Sequence, residues 1–366
     1  MKFTIVLGTR PEIIKLSPII RVLEKTNIDW NIIHTNQHYS ENMDKIFFDE
    51  LNLPKPKYNL GIGSGTHGEQ TGKMLIKVER VLLKEKPNVV IVQGDTNTVL
   101  SGALAASKLK IKIAHVEAGL RSFDRNMPEE INRVLTDHIS DYLFAPTDIA
   151  KNNLLREGIK ENKIFVVGNT IVDATLQNLK IAEKNENVKK FFNTLKNNGD
   201  YFLLTLHRSE NVDNKKRLKN IIEGILYLTK IYDEHIIFPI HPRTKKRLEE
   251  FNLLNKLKNN EKINIIEPVG YLEFLMLEKN AKLILTDSGG IQEEACILKT
   301  PCITLRDNTE RPETLSVGAN ILVGDDKEKL INAVNIMLNK NRNWENPFGD
   351  GKSGEKIVKI LIDKNK

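Results

Sequence analysis

Short β-rich runs alternating with longer amphipathic stretches limit how this chain folds more than any other feature. Phe3–Leu7, Trp30–His34, Val89–Gln93, Ile111–Val116 and Asp141–Ala145 read as strands. Between them lie helical patterns such as Glu69–Lys86, where Leu75, Val78, Leu82 and Leu83 recur at helical spacing. The rhythm lapses over Lys180–Gly199, which is rich in Lys and Asn. It resumes with Tyr201–Leu206, Ile236–Ile240, Ile263–Ile266, Leu283–Thr286 and Cys302–Leu305. Alternation of this kind builds parallel sheets covered by helices on both faces. At 366 residues the chain is too long for one ordinary core. The break therefore predicts two doubly wound α/β halves joined near residues 170–200.

Ligands of such sheets bind beyond the carboxyl ends of the strands, and the polar residues stand there. Arg10 follows the first strand, Asp95 follows Val89–Gln93, and Glu117 ends Ile111–Val116. In the second half His207, His241 and Asp287-Ser288-Gly289-Gly290 follow strands in the same way. Together they predict a single cleft lined from both halves.

Lys plus Arg number 55 against 48 Asp plus Glu, a formal charge of +7. The excess sits in scattered Lys beside Asn and reads as solvated helix faces, not as a nucleic-acid surface. Aromatics, at 6%, are not interleaved with Arg, which argues against a stacking platform for single strands. Cys296 and Cys302 are too few for a disulfide framework or a four-thiolate metal site, and read as buried thiols. There is no run of about 20 apolar residues, and the chain opens in a strand without a leader pattern, so no membrane span and a cytoplasmic location are expected.

Several motifs fail in context. Gly63-Ser64-Gly65-Thr66-His67-Gly68 matches G-x-G-x-x-G, but Lys55–Leu60 before it is not strand-like, so no dinucleotide is inferred. Gly72-Lys73 and Gly351-Lys352-Ser353 both lack the first glycine of a P-loop. His115-Val116-Glu117 has the H-x-E of zinc deaminases without the partner P-C-x-x-C, and no catalytic metal is expected.

Others carry chemistry. In Ser288-Gly289-Gly290-Ile291-Gln292-Glu293-Glu294 a glycine turn opens a helix. It reads equally as a phosphate site on free N–H groups, with Glu293 or Glu294 on a ribose, or as an ordinary tight connection. Gly8-Thr9-Arg10-Pro11-Glu12 is a second such entry, with Pro11 suited to the first helical position and Lys15 one turn on. Arg10 there suits diphosphate oxygens, or is a surface loop charge. Asp95, Glu117 and Glu129 form an acid set. Glu129, after Pro128, suits an ionised base at a helix start or a plain pair with Arg133 at i, i+4.

These blocks resemble the non-hydrolysing UDP-N-acetylglucosamine 2-epimerases. The resemblance rests on Gly8-Thr9-Arg10-Pro11-Glu12, Gln93-Gly94-Asp95-Thr96, His115-Val116-Glu117-Ala118-Gly119-Leu120-Arg121 and Pro128-Glu129-Glu130-x-Asn132-Arg133. Val167-Gly168-Asn169-Thr170, the Thr286–Glu294 block and Thr309-Glu310-Arg311-Pro312-Glu313 extend it in order along the chain. It implies a GT-B fold of two Rossmann-like domains facing a central cleft. Residues 1–170 would carry the acids, 171–349 would bind UDP, and a C-terminal helix within 350–366 would pack back on the first domain. By matching motif, Arg10, His207, Ser288, Gly289 and Gly290 would contact the diphosphate and Glu294 the ribose. Asp95, Glu117 and Glu129 would be the catalytic acids, with Lys15 and Arg311 supporting substrate. The family uses no nicotinamide cofactor and is typically homodimeric. Bacterial relatives hold a second, activating substrate molecule. Of that site Gln37, His38, Arg208 and His241 match, but Tyr39–Met43 is one residue longer and lacks the second Gln.

Such chemistry needs this set. The hydrogen on carbon 2 is not beside a carbonyl, so a carboxylate removes it only as UDP leaves carbon 1 and positive charge builds up there. A glucal intermediate then takes a proton on its other face as UDP adds back. Alternatives are epimerisation of a UDP-2,3-diacetamido uronic acid, hydrolytic release of the amino sugar, and a GT-B glycosyltransferase, which has no need of acids aimed at carbon 2.

Overall fold

The computed structural model describes residues 1–37, 47–196 and 199–366. The chain divides into two compact units, Met1–Gln177 with Phe348–Lys366, and Asn178–Pro347.

In the first unit, β1 (Lys2–Leu7), β2 (Asp29–His34), β3 (Tyr58–Asn59), β4 (Val89–Gln93), β5 (Lys112–Val116), β6 (Tyr142–Ala145) and β7 (Ile164–Val166) form a parallel sheet. Its order is β3-β2-β1-β4-β5-β6-β7. The second unit repeats the plan with β8 (Tyr201–Thr205), β9 (His235–Pro239), β10 (Ile263–Ile266), β11 (Leu283–Thr286), β12 (Cys302–Thr304) and β13 (Asn320–Leu322), ordered β10-β9-β8-β11-β12-β13. Each sheet grows one way and then the other, so β1 beside β4 and β8 beside β11 are the switch points where such sheets receive ligands.

Helices on both faces explain why the strands are apolar throughout. Phe202 and Leu204 of β8 meet Leu218, Ile222 and Val334 on one side. Tyr201 and Leu203 meet Phe192, Leu277 and Ala295 on the other. In the first unit Val6, Val90 and Val92 pack on Val78, Leu82, Val99 and Ala103 of helices His67–Glu85 and Asn97–Lys108. The Lys- and Asn-rich stretch around residue 190 is helical, with Glu186–Lys196 presenting Val188, Phe192 and Leu195 inward.

The segment Lys55–Leu60 departs from expectation. Tyr58 and Asn59 pair with Ile33 and His34 and make the edge strand β3. Its two residues have no apolar period of their own, and an existing edge recruits them.

The last helix, Ser353–Lys364, belongs to the first unit and lies against helix Arg10–Leu23. Gly354 is so close that a Cβ there would sit 3.0 Å from the backbone of Pro18. Asp173 accepts the N–H groups of Ser353 and Gly354 at 3.2 and 2.9 Å. Among the described residues no helix is long and apolar enough to cross a membrane.

Candidate active site

In the first unit the loop after β1 enters helix Arg10–Leu23 through the N-cap Thr9, with Pro11 at the second helical position, one later than expected. Glu12 turns back and accepts the N–H groups of Gly8 and Thr9 at 2.5 and 2.9 Å. It also accepts the hydroxyl of Thr96, from the loop after β4. Burial pushes the Glu12 carboxyl up to about 7 against the donors, and the charge of Asp95 adds to the push. Glu12 thus ties together the two loops of the switch point. The Arg10 guanidinium stands 5.7 Å from the centre of the Phe47 ring.

Lys15 reaches both oxygens of Glu117 at 2.6 and 2.8 Å, and the Gln93 amide donates to the same carboxylate. Glu117 itself has φ +69°, an uncommon conformation for a residue with a side chain. Asp95 pairs with Arg133, and its carbonyl accepts Asn132 Nδ2 at 2.9 Å. Arg133 also pairs with Glu130 at 2.6 Å. The simple Glu129–Arg133 pair is therefore corrected. Arg133 is largely buried and turns toward the carboxylates of Asp95 and Glu130, while Glu129 points to solvent. Glu129 and Asp95 share a cavity of about 350 Å³ with Gln37, His67, Gln70 and Asn97 in its wall. There Gln37 Oε1 accepts the N–H and hydroxyl of Thr98 at 3.1 and 2.8 Å. His38 lies outside the described residues.

In the second unit Asp287, after β11, accepts the N–H groups of His207 and Arg208 at 3.1 and 3.0 Å and Asn211 Nδ2 at 3.2 Å. His207 Nδ1 lies 3.1 Å from it. Burial alone would raise Asp287, yet the His207 ring and the N–H groups hold it below the usual carboxylate range. Helix Gly289–Leu298 starts beside this weld, with Ser288 as its N-cap. A Cβ on Gly290 would meet nothing nearer than Ser288 Oγ at 4.0 Å, so its backbone is open to an incoming anion. Arg208 and His241 gather at the same place. An Arg208 nitrogen lies 3.9 Å from where a Gly289 Cβ would be, and the His241 and His207 rings are 5.9 Å apart.

Glu293 is buried and pairs with Arg311 at 2.8 Å, while Glu294, also buried, accepts the Tyr271 hydroxyl at 2.9 Å. Glu278 is fully buried, and neither oxygen has a hydrogen-bond partner. Burial and the charge of Glu294 push it well above the usual range. Both cysteines are buried. Among the described residues no cluster of three or more His, Cys, Asp or Glu is arranged to hold a metal ion.

The strand-end residues named from sequence therefore lie at loop positions on their own sheets. Asp95 and Glu129 share one cavity wall, and Lys15 meets Glu117. Sequence reasoning placed Asp287 at a strand end and Arg133 beside Glu129 without their observed partners, and it did not single out Glu12 or the pair His115–Asp137. Glu12 alone had a readable signal, because Thr9-x-x-Glu12 is a capping box.

Residues 21–362 match the family model for UDP-N-acetylglucosamine 2-epimerase. The chain is 84% identical over 361 residues to the UDP-N-acetylglucosamine 2-epimerase of Methanocaldococcus jannaschii, covering 99% of each. A crystal structure of the M. jannaschii UDP-GlcNAc 2-epimerase in complex with UDP-GlcNAc and UDP superposes with a TM-score of 0.89 at 83% identity, over 99% of this chain and 100% of that one. The two-sheet architecture is GT-B-like. A glycosyltransferase from Rickettsia africae shares it at 16% identity over 100% of this chain and 99% of that one, with a TM-score of 0.62, a likeness of fold alone. The chain belongs to the UDP-N-acetylglucosamine 2-epimerase family.

Proposed function

We propose that this chain is an isomerase that interconverts UDP-N-acetylglucosamine and UDP-N-acetylmannosamine by elimination and re-addition of UDP. The observation that carries this is the 84% identity, end to end, to an enzyme of that name whose solved structure holds UDP-GlcNAc and UDP. The first unit supplies the acids and the second holds the nucleotide. The C1–O bond breaks with its electron pair leaving on UDP, while a carboxylate among Asp95, Glu117 and Glu129 takes the proton from carbon 2. The C2–H electrons become the C1=C2 bond of 2-acetamidoglucal. Reprotonation on the opposite face of carbon 2 and attack of the UDP oxygen on carbon 1 complete the cycle. No redox cofactor is required, because departure of UDP is what acidifies the C2–H bond.

Lys15 bonds both oxygens of Glu117 and holds that carboxylate in place as a candidate base. Arg10, His207 and the N–H groups at Ser288, Gly289 and Gly290 stabilise the charge growing on the departing diphosphate. Glu294 takes the ribose, and Arg311 acts by holding Glu293. Gln37, His38, Arg208 and His241 are assigned to contacts with a second, activating substrate molecule. We assign the enzyme to the cytoplasm as a homodimer. Exposed Ile76 and Leu83 on one helix and Ile131 and Leu135 on another supply the apolar surface a second copy would cover.

The test is proton NMR of UDP-N-acetylglucosamine incubated with the protein in deuterated water, without added NAD or metal. UDP-N-acetylmannosamine carrying deuterium at carbon 2 is expected. Free UDP with N-acetylmannosamine would indicate hydrolysis instead, and no exchange would sink this substrate in favour of the diacetamido uronic sugar.

A further inference from the structure

We propose, resting on the assignment of Asp95 and Glu117 as acids, that His115 and Asp137 are positioning residues that hold those two carboxylates in mutual register. Both side chains are fully buried inside the first unit. His115 stands on β5 two residues before Glu117, and its ring spans to the neighbouring loop. Its Nε2–H donates to the carbonyl of Gly94 at 2.8 Å, one residue before Asp95. Its Nδ1–H donates to Asp137 Oδ1 at 2.6 Å. The other Asp137 oxygen accepts the N–H of Gly119, two residues after Glu117, at 3.1 Å, and Arg121 at 2.7 Å. One carboxylate thus anchors the chain on both sides of Glu117 and, through the ring, the residue before Asp95.

The backbone shows why such an anchor matters. Gly94 and Gly119 have φ of +87° and +83°, and Glu117 between them has φ +69°. A side chain in that region costs about 1–3 kcal/mol and persists only where its surroundings over-determine it. A Cβ on Gly119 would lie 2.3 Å from the Ala150 carbonyl oxygen, so the turn has no alternative seat. Arg121 is itself secured by Glu157 at 2.7 and 2.6 Å. Against the cost of burial, His115 and Arg121 hold Asp137 below the usual carboxylate range, so it remains an acceptor for all three donors. If the cluster served stability alone, an apolar replacement of similar volume would do as well or better. Two loops from adjacent strands, each carrying an acid that must reach the same carbon, are where a fixed polar spacer has a use.

Two conservative variants separate the ring's bonds. In His115→Gln the amide nitrogen takes the place of Nε2 and keeps the Gly94 bond. In His115→Asn it takes the place of Nδ1 and keeps only the Asp137 bond. With UDP-N-acetylglucosamine as substrate, H115N is expected to lose about 10²-fold in kcat at little changed KM, the size of effect a misplacement of about 1 Å has. UDP affinity by calorimetry should stay close to wild type, and turnover is compared well below the somewhat lowered thermal midpoint that a smaller buried side chain brings. H115Q should recover to within about tenfold of wild type. The inference is overturned if H115N turns over normally, if H115Q is as slow as H115N, or if kcat falls only in step with the folded fraction. Should H115N not accumulate as folded protein, Asp137→Asn, which no longer accepts from both His115 and Arg121 as a carboxylate, must show the same kcat loss. Wild-type protein inactive on UDP-N-acetylglucosamine would refute the function and this inference together. Active wild type with normal variants would refute only the inference.

Discussion

Glu12 and Asp287 do the same job from opposite sides of the two switch points, Glu12 after β1 and Asp287 after β11, each buried and each tying together the two loops that diverge there. Their surroundings differ. Glu12 receives two backbone N–H groups and a hydroxyl, with the like charge of Asp95 nearby, and burial prevails, so it sits at about 7. Asp287 receives backbone N–H groups, an amide and the His207 ring, and stays below the usual range despite burial. The same mechanical task is done by an acid that titrates near neutrality in one unit and by a fixed anion in the other. The His207 imidazole at one acid and the Asp95 charge at the other set the two apart.

The most damaging way to break this comparison is Asp287→Ala. It strips His207 N–H, Arg208 N–H and Asn211 of their shared acceptor and removes the carboxylate beside the His207 ring. Urea unfolding should show a loss of about 3–5 kcal/mol, since two backbone N–H groups and an amide lose a buried acceptor at about 1–3 kcal/mol each; a loss under about 1 kcal/mol would mean the loops hold without it.

Glu12→Gln sharpens the contrast through pH. The folded pKa of Glu12 lies above its ordinary value of 4.5. Its stabilising contribution is therefore complete below about 4.5 and lost as pH rises through about 7. Gln has no such dependence, so E12Q should gain up to about 3 kcal/mol on wild type between pH 4.5 and 8, at about 1.4 kcal/mol per unit. Asp287 has the opposite sign. Its contribution is present above the unfolded pKa and lost as pH falls through the lower folded one. A flat pH profile of E12Q minus wild type would refute the charge state given to Glu12.

Glycines of the two loops differ as well. A Cβ on Gly8 would lie 2.0 and 2.4 Å from the hydroxyl oxygens of Thr35 and Thr98. Gly8→Ala should cost about 2 kcal/mol of stability from overpacking. Gly290→Ala should leave the thermal midpoint in place and weaken UDP binding about tenfold, or about 1.4 kcal/mol, by calorimetry. The smallest expected effect is at Glu278, which has neither the donors of Glu12 nor the ring of Asp287. Glu278→Met should stabilise the protein by about 1 kcal/mol in urea titrations, since an apolar side chain suits an unpartnered interior site.

Much of the architecture was legible because strands covered on both faces are continuous apolar runs; every run read as a strand contains one. The edge strands β3, β7 and β13 were not, since two or three residues carry no period and exist by pairing with a neighbour already in place. At the site, strand ends located the loops. Partner choice was the part that could not be read. The i, i+4 rule favoured Glu129 for Arg133, but a guanidinium drawn into the interior needs carboxylates there, and Asp95 was brought to it by a different strand. His115 and Asp137 meet for the same reason, through packing between elements far apart in sequence.

The return of helix Ser353–Lys364 to the first unit sets the order in which this protein can be completed during synthesis. Helix Arg10–Leu23 and Asp173 leave the ribosome before the second unit, but the segment that covers the one and bonds to the other is made only after it. At about 5–20 residues per second, the intervening unit takes roughly ten to forty seconds to translate. Through that interval the face of helix Arg10–Leu23 that Ser353–Lys364 covers stands open to water, and the whole second unit must emerge before the first can close.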